Sequence, residues 1–288
     1  MKALVISNCA TSAYILGLKA LFPEWEVRGA MSNVADQWVL QDPPKTEFIE
    51  YLQNCDLYVG SSPEGSRYGR HLSDHSRKLL IPHFDFRGLQ PDSFHLPGFE
   101  SVLGRGGSLF SQIVVTSFVS GLTPVFTSKL FNSDTYEAFG FFALFDVEKR
   151  QVVDQFQQYG IDLSGSFEPW IAKGNFLYSR NHPRVDVLIE LLCRALAAAD
   201  ILPGAELERR DLPIIDGLKE SGHWPVYPEI GNRHGLEGSL IWRRGRTNDY
   251  QPLDLDQFIT ASFEALGTKR LPRLPDLPEW MDRLKALI

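Results

Sequence analysis

The chain has 288 residues, 43% apolar and 23% charged, an ordinary globular balance that argues against global disorder. A net charge of −7 lacks the footprint of a general nucleic-acid binder, although it leaves room for a local basic pocket. Three scattered cysteines with no CxxC pair exclude a disulfide framework and give no zinc signature; they read as thiols of a reducing, cytoplasmic compartment, and no metal is expected.

The N-terminus carries one Lys and a short apolar run interrupted by Ser7-Asn8, with no small-residue cleavage site, so it reads as a buried strand rather than a signal peptide. No stretch reaches the ~18 apolar residues of a membrane span, so no integral membrane segment is expected. A strand is predicted over 3–6 and a helix over 11–21, with Ile15, Leu18 and Phe22 near a helical spacing. A second strand follows over 25–31 and a helix over 44–54, with Phe48, Ile49 and Leu52 on one face. The third strand is 56–60, a short helix falls within 65–74, and the fourth strand is 78–81. Strands separated by helices imply right-handed crossovers and a parallel sheet, so the fold class over residues 1–103 is α/β.

From residue 104 the pattern becomes mainly helical. The apolar stretch 108–131 carries Gln112, Pro124 and Lys129 and reads as a buried helix broken at Gly121 and Pro124. Residues 185–199 form the cleanest amphipathic helix, opened by Pro183 and stopped near Pro203-Gly204. The last helix is predicted over 253–266, after which Pro272, Pro275 and Pro278 punctuate a tail before 280–287. Gly104-Arg105-Gly106-Gly107 is the candidate seam between an α/β portion, 1–103, and a helical portion, 104–288; it reads equally as a loop within one compact unit.

Ser7-Asn8-Cys9 falls where the first strand ends and the first helix starts. In open parallel sheets the carboxyl ends of the strands form the binding crevice. A thiol there feels the positive end of a helix dipole, which lowers its pKa, and the backbone N–H groups over 7–10 are placed to stabilise an oxyanion. The placement is that of a nucleophile elbow without its G-x-S-x-G. The alternative is a buried structural cysteine, and Cys55 and Cys193, inside apolar patterns, read that way.

This turn resembles the Gly-Asn-Cys-Gln signature of the WcbI family of polysaccharide-biosynthesis enzymes; Asn8 and Cys9 match, while Ser7 and Ala10 depart from it. Ile81-Pro82, then Phe86, Gly88, Pro91 and Asp92, resembles the family's Pro-x-x-x-Phe-x-Gly-x-x-Pro-Asp block. Asn181-His182-Pro183 resembles its Asn-His-Pro block, and Tyr227-Pro228-Glu229-Ile230 with Gly235, Leu236 and Gly238 resembles a C-terminal block. The resemblance implies an O-acetyltransferase that moves an acetyl group from acetyl-coenzyme A to a sugar hydroxyl of a capsule or exopolysaccharide precursor. It also implies an α/β portion of SGNH-hydrolase-like or Rossmann-like topology with a mainly helical C-terminal half. The partner implied is a sugar or polysaccharide precursor, not a nucleic acid.

Such chemistry needs a general base, and His is the usual one near neutral pH. His182 is the first choice among seven histidines, because it sits in a short loop before Pro183 and in the Asn-His-Pro block. His83 and His95 flank the Pro-Asp block. His71 and His75 are four apart, as on a helix face that binds metal, but lack the Glu of HExxH and read more simply as a solvated helix. Asp92 is placed either to orient a histidine or to cap a turn or the next helix; Asp85 is the other carboxylate. For the phosphates of coenzyme A the candidates are Arg67 and Arg70, with Arg77 and Lys78 nearby. Arg105 in the glycine-rich loop joins them, as do Arg243 and Arg244 within Trp242-Arg243-Arg244-Gly245-Arg246, whose Trp offers a face for adenine. Ser7 and Asn8 complete the donor site. Two other readings are a thiol-dependent esterase or deacetylase acting on glycans, and a non-catalytic glycan-binding subunit that uses its six Trp and nine Tyr for stacking.

Overall fold

The structure is a computed structural model and describes residues 1–104, 107–202, 212–245 and 251–288. These divide into two compact units that interleave along the chain. One holds residues 1–84, 152–166 and 182–219; the other holds 85–151, 167–181 and 220–288.

The first unit is built on a four-stranded parallel sheet of order β2-β1-β3-β4: β1 is Lys2–Ser7, β2 Glu26–Met31, β3 Leu57–Gly60 and β4 Arg77–Leu80. Ala3, Leu4, Val5 and Ile6 are fully buried. That is why β1 reads as a continuous apolar run: both faces of a central parallel strand are covered. Helix α1 (Thr11–Leu21) packs against β2 and against α9 (Val185–Ala198). At Gly17 the two helices meet so closely that a Cβ would lie 2.8 Å from Ile189 Cδ1 and Leu192 Cδ2.

Residues 32–40, to which the sequence reading assigns no element, form helix α2 (Ser32–Leu40). Only Ala35 of this helix is fully buried, so the segment carries almost no apolar stripe to read. The helix expected within 65–74 shrinks to a single 3-10 turn, Tyr68–His71. Asp36 on α2 ties that turn down, its Oδ1 accepting from the N–H groups of Arg67 (2.7 Å) and Tyr68 (3.0 Å). Helix α3 (Thr46–Asn54) buries Phe48, Tyr51 and Leu52. His182–Pro183 (β8) precedes α9, and Pro203-Gly204, expected to stop α9, lie outside the described residues.

In the second unit helices dominate: α4 (Gln112–Val119), α5 (Pro124–Ser128), α6 (Ser133–Ala138), α8 (Phe167–Ala172), α10 (Pro228–Arg233), α11 (Leu255–Gly267) and α12 (Leu277–Lys285). Helix α7 (Leu144–Gln157) begins here. The stretch expected as one broken helix starts instead as strand β6 (Leu109–Ser111), antiparallel to β5 (Ser93–His95). Ser111 then caps α4 by accepting from Val114 N–H at 3.0 Å. The predicted breaks stand: Gly121 has φ +73° and Pro124 opens α5. Leu177–Ser179 is β7, and β9 (Trp242–Arg243) pairs antiparallel with β10 (Pro252–Leu253). The core is aromatic. Phe86 meets Phe145, Phe167 and Phe176, and Trp242 stacks on Phe258 with ring centroids 4.1 Å apart.

Candidate active site

From β1 the chain runs to β2 on one side, then crosses to β3 on the other. The carboxyl ends of β1 and β3 are therefore the switch point of the sheet, where open parallel sheets bind ligands. The turn Ser7-Asn8-Cys9-Ala10 lies there. Its shape is set locally: Thr11 donates to Asn8 O through N–H (3.1 Å) and Oγ1 (2.7 Å). The Asn8 side-chain Oδ1 accepts from Ala10 N–H at 3.0 Å. β3 closes against this turn because residue 60 is glycine: its φ is +139°, and a Cβ would fall 1.8 Å from Ile6 O.

Cys9 is exposed, while Cys55 and Cys193 are buried. The expected depression of the Cys9 thiol does not occur. Crowding by the surrounding protein pushes it above the ordinary thiol range, and its own backbone N–H offsets only part of this. Of the backbone donors expected for an oxyanion, Ala10 N–H is committed to Asn8 Oδ1, and the neighbouring Thr11 N–H goes to Asn8 O.

The histidine that meets this turn is His83. Ile81-Pro82-His83 follows the end of β4 at the same sheet edge, and the exposed His83 ring contacts the Asn8 amide through Nδ1, with Nε2 3.5 Å from it. His182 is half-buried at the start of β8, in the same unit as Cys9. Arg67 and Arg70 are exposed on the turn that Asp36 anchors. Arg77 is turned away to the backbone carbonyl of Ala199, just beyond the end of α9. His71 ends the 3-10 turn and His75 lies beyond it, so no helix carries the two together. Among the described residues no group of three His, Cys, Asp or Glu side chains is placed to hold a metal ion.

The remaining sequence candidates lie in the second unit. Asp92 is fully buried; its Oδ1 accepts from Ile113 N–H in the first turn of α4 (2.9 Å) and its Oδ2 from Tyr227 Oη (2.6 Å). That is the helix-capping role the sequence allowed. Burial pushes its carboxyl up to about 6, against the opposing pull of its hydrogen bonds from Ser111, Tyr227 and the α4 backbone. Asp85 is held in a fork by Arg180, with Nε and Nη2 each 2.6 Å from a carboxylate oxygen. His95 pairs with Ser108 across the β5–β6 hairpin. Arg243 and Arg244 are half-buried, but Trp242 is fully buried against Phe258 and offers no face to adenine. Arg105 and Arg246 lie outside the described residues.

Residues 2–204 match the family model described as the polysaccharide biosynthesis enzyme WcbI. The chain belongs to the WcbI family. A solved structure of WcbI, described as a polysaccharide biosynthesis enzyme, is similar with a TM-score of 0.67 at 14% identity, over 99% of this chain and 94% of that one. At that identity the likeness is one of fold. That structure is described as native protein without a disulfide bond between coenzyme A and one of its cysteines. A search of curated proteins found no match. Among the described residues of this WcbI-family chain, no helix is long and apolar enough to cross a membrane. The sequence ranked His83 below His182, because the approach of β4's end to the Asn8 turn depends on strand order, and strand order is not written in local spacing.

Proposed function

We propose that the protein is an acyltransferase that moves an acetyl group from acetyl-coenzyme A to a sugar hydroxyl during assembly of a capsule or exopolysaccharide. The observation that carries this reading is the exposed Cys9 at the switch point of the parallel sheet. Membership of a polysaccharide-biosynthesis family supports it, as does a protein of similar fold whose native form is distinguished from one with a disulfide between coenzyme A and a cysteine. The reading takes the sheet edge as an SGNH-like or Rossmann-like crevice, in which Ser7 and Asn8 line the thioester end. Arg67 and Arg70 are exposed cations on the turn after β3 and suit the phosphates of the donor.

A thiol held above its ordinary range needs a base, and His182 is assigned that role. His182 takes the Cys9 proton as the sulfur attacks the donor carbonyl. A carbon–sulfur bond forms to Cys9, the bond to the coenzyme A sulfur breaks, and His182 returns the proton to that leaving thiolate. The sugar hydroxyl then attacks the acyl-Cys9 carbonyl, gives its proton to His182, and Cys9 leaves as thiolate and is reprotonated.

The test combines intact-mass spectrometry after brief exposure to acetyl-coenzyme A with calorimetry of coenzyme A and acetyl-coenzyme A. The expected result is micromolar binding and one acetyl group per chain, lost in Cys9→Ala. Binding without any acetyl adduct would replace the covalent route by direct transfer. No binding of either ligand would overturn the donor assignment.

A further inference from the structure

The Asn8 amide has a fixed orientation. Its Oδ1 is the acceptor for Ala10 N–H at 3.0 Å, and Ser7 Oγ stands 3.4 Å from the same oxygen. A flipped amide would set its NH2 against the Ala10 N–H, donor against donor. The NH2 group is therefore the part of Asn8 that meets His83, and the ring atom it meets is Nδ1. An amide NH2 only donates, so Nδ1 is an acceptor. A neutral imidazole with an unprotonated Nδ1 carries its hydrogen on Nε2.

This matters because the N–H groups that follow Cys9 in the turn, those of Ala10 and Thr11, are already committed to Asn8. A tetrahedral intermediate on Cys9 still needs a donor for its oxygen. We propose that Asn8 locks His83 in the Nε2–H tautomer and that His83 donates this hydrogen to the oxyanion formed on Cys9. His83 is then a hydrogen-bond donor to the reacting carbonyl, not a base, and Asn8 is its positioning residue. No proton leaves His83 during the cycle; the hydrogen bond strengthens as the carbonyl oxygen gains charge and relaxes as it collapses. The inference rests on the acyl-transfer reading of Cys9 but not on the identity of the donor or acceptor.

Two measurements test it on the whole protein. Long-range proton–nitrogen NMR of 15N-histidine-labelled protein, with the His83 signal assigned by its loss in His83→Phe, reads the tautomer directly. The expected result is the Nε2–H form in the wild type and the Nδ1–H form in Asn8→Asp, whose carboxylate accepts where the amide donated. Acylation of Cys9 by p-nitrophenyl acetate is then compared with its alkylation by iodoacetamide. Acylation passes through an oxyanion and alkylation does not. His83→Phe is expected to slow acylation about 10²-fold, the effect of losing one oxyanion donor, and to leave alkylation within about twofold. An Nδ1–H tautomer in the wild type, or acylation and alkylation that change together, would overturn the proposal. Intact p-nitrophenyl acetate selectivity with no acetylation by acetyl-coenzyme A would instead overturn the donor and leave the His83 role standing.

Discussion

Tyr227 donates a 2.6 Å hydrogen bond to Asp92 across 135 residues of chain. The contact joins the Pro91-Asp92 block to the Tyr227-Pro228-Glu229-Ile230 block, two motifs that look independent in sequence. Both partners are buried, and Asp92 also receives Ile113 N–H from α4. The second unit therefore closes around a carboxylate that water does not reach. Such a group stays because its hydrogen bonds are filled, and it carries a desolvation cost whenever it ionises.

That cost has a pH signature. The folded Asp92 titrates at about 6, above the ordinary value of 3.8, so between those values the folded state holds a proton that the unfolded state has released. Stability then falls as pH rises from about 4 to 6, and the full cost is present above 6. In Asp92→Asn this slope is removed. The difference in unfolding free energy between variant and wild type, measured in urea, should shift in the variant's favour by on the order of 2–3 kcal/mol between pH 4 and pH 7. A difference that stays constant over this range would mean that Asp92 titrates normally.

Tyr227→Phe removes the donor and leaves the carboxylate enclosed. Hydrogen bonds to a charged group contribute about 1.5–3 kcal/mol and neutral ones about 1 kcal/mol. The substitution should therefore cost more at pH 8, where Asp92 is ionised, than at pH 5. Thermal unfolding at the two pH values reads this directly, and an equal loss at both would show that ring packing, not the hydroxyl, carries Tyr227's contribution.

Arg180 makes a comparable tie within the same unit. Its fork to Asp85 and its third bond to Ser93 O (3.2 Å) anchor the segments that lead into His83 and His182. Lysine offers one ammonium in place of a planar fork. Arg180→Lys is expected to destabilise by about 1–3 kcal/mol, because the guanidinium is largely buried and Asp85 would lose its paired contact. A double-mutant cycle with Asp85→Asn checks whether the loss belongs to this pair, since a coupling near zero would assign it elsewhere.

Gly60 is where β3 meets the Ser7–Ala10 turn. An alanine there takes a backbone angle that side chains avoid and drives its Cβ into Ile6 O. The expected cost is at least ~3 kcal/mol, with reduced Cys9 reactivity in whatever protein folds. A stable, fully reactive Gly60→Ala would show that β1 and β3 can separate at this end.

How much of this was legible follows from what local sequence encodes. The strands and α1 were readable because burial on both faces of β1 and on one face of α1 leaves an apolar signal with a clear period. Helix α2 was not, since it buries little, and residues 108–111 joined a hairpin because a short apolar run looks alike in a strand and a buried helix. Trp242 read as a ligand surface because its neighbours are arginines, yet its packing partner Phe258 comes from a helix elsewhere in the chain. Cys9 was readable from its place after β1. The Asn8–His83 contact was not, because it requires knowing that β4 lies beyond β3 in the sheet.

Cys9 itself can be titrated chemically. Its thiol lies above the ordinary range because crowding disfavours the thiolate more than its own N–H favours it. Alkylation proceeds through the thiolate, so the rate of Cys9 modification by iodoacetamide should keep rising through pH 9 instead of levelling near 7. Cys55 and Cys193, buried, should react far more slowly until the chain unfolds. Peptide mapping of the alkylated protein separates the three sites. A plateau near neutral pH would mean that the helix dipole prevails over desolvation and that Cys9 needs no base. Alkylation that stays slow at neutral pH, beside rapid acylation by a thioester, would show that the proton is removed only once substrate is in place.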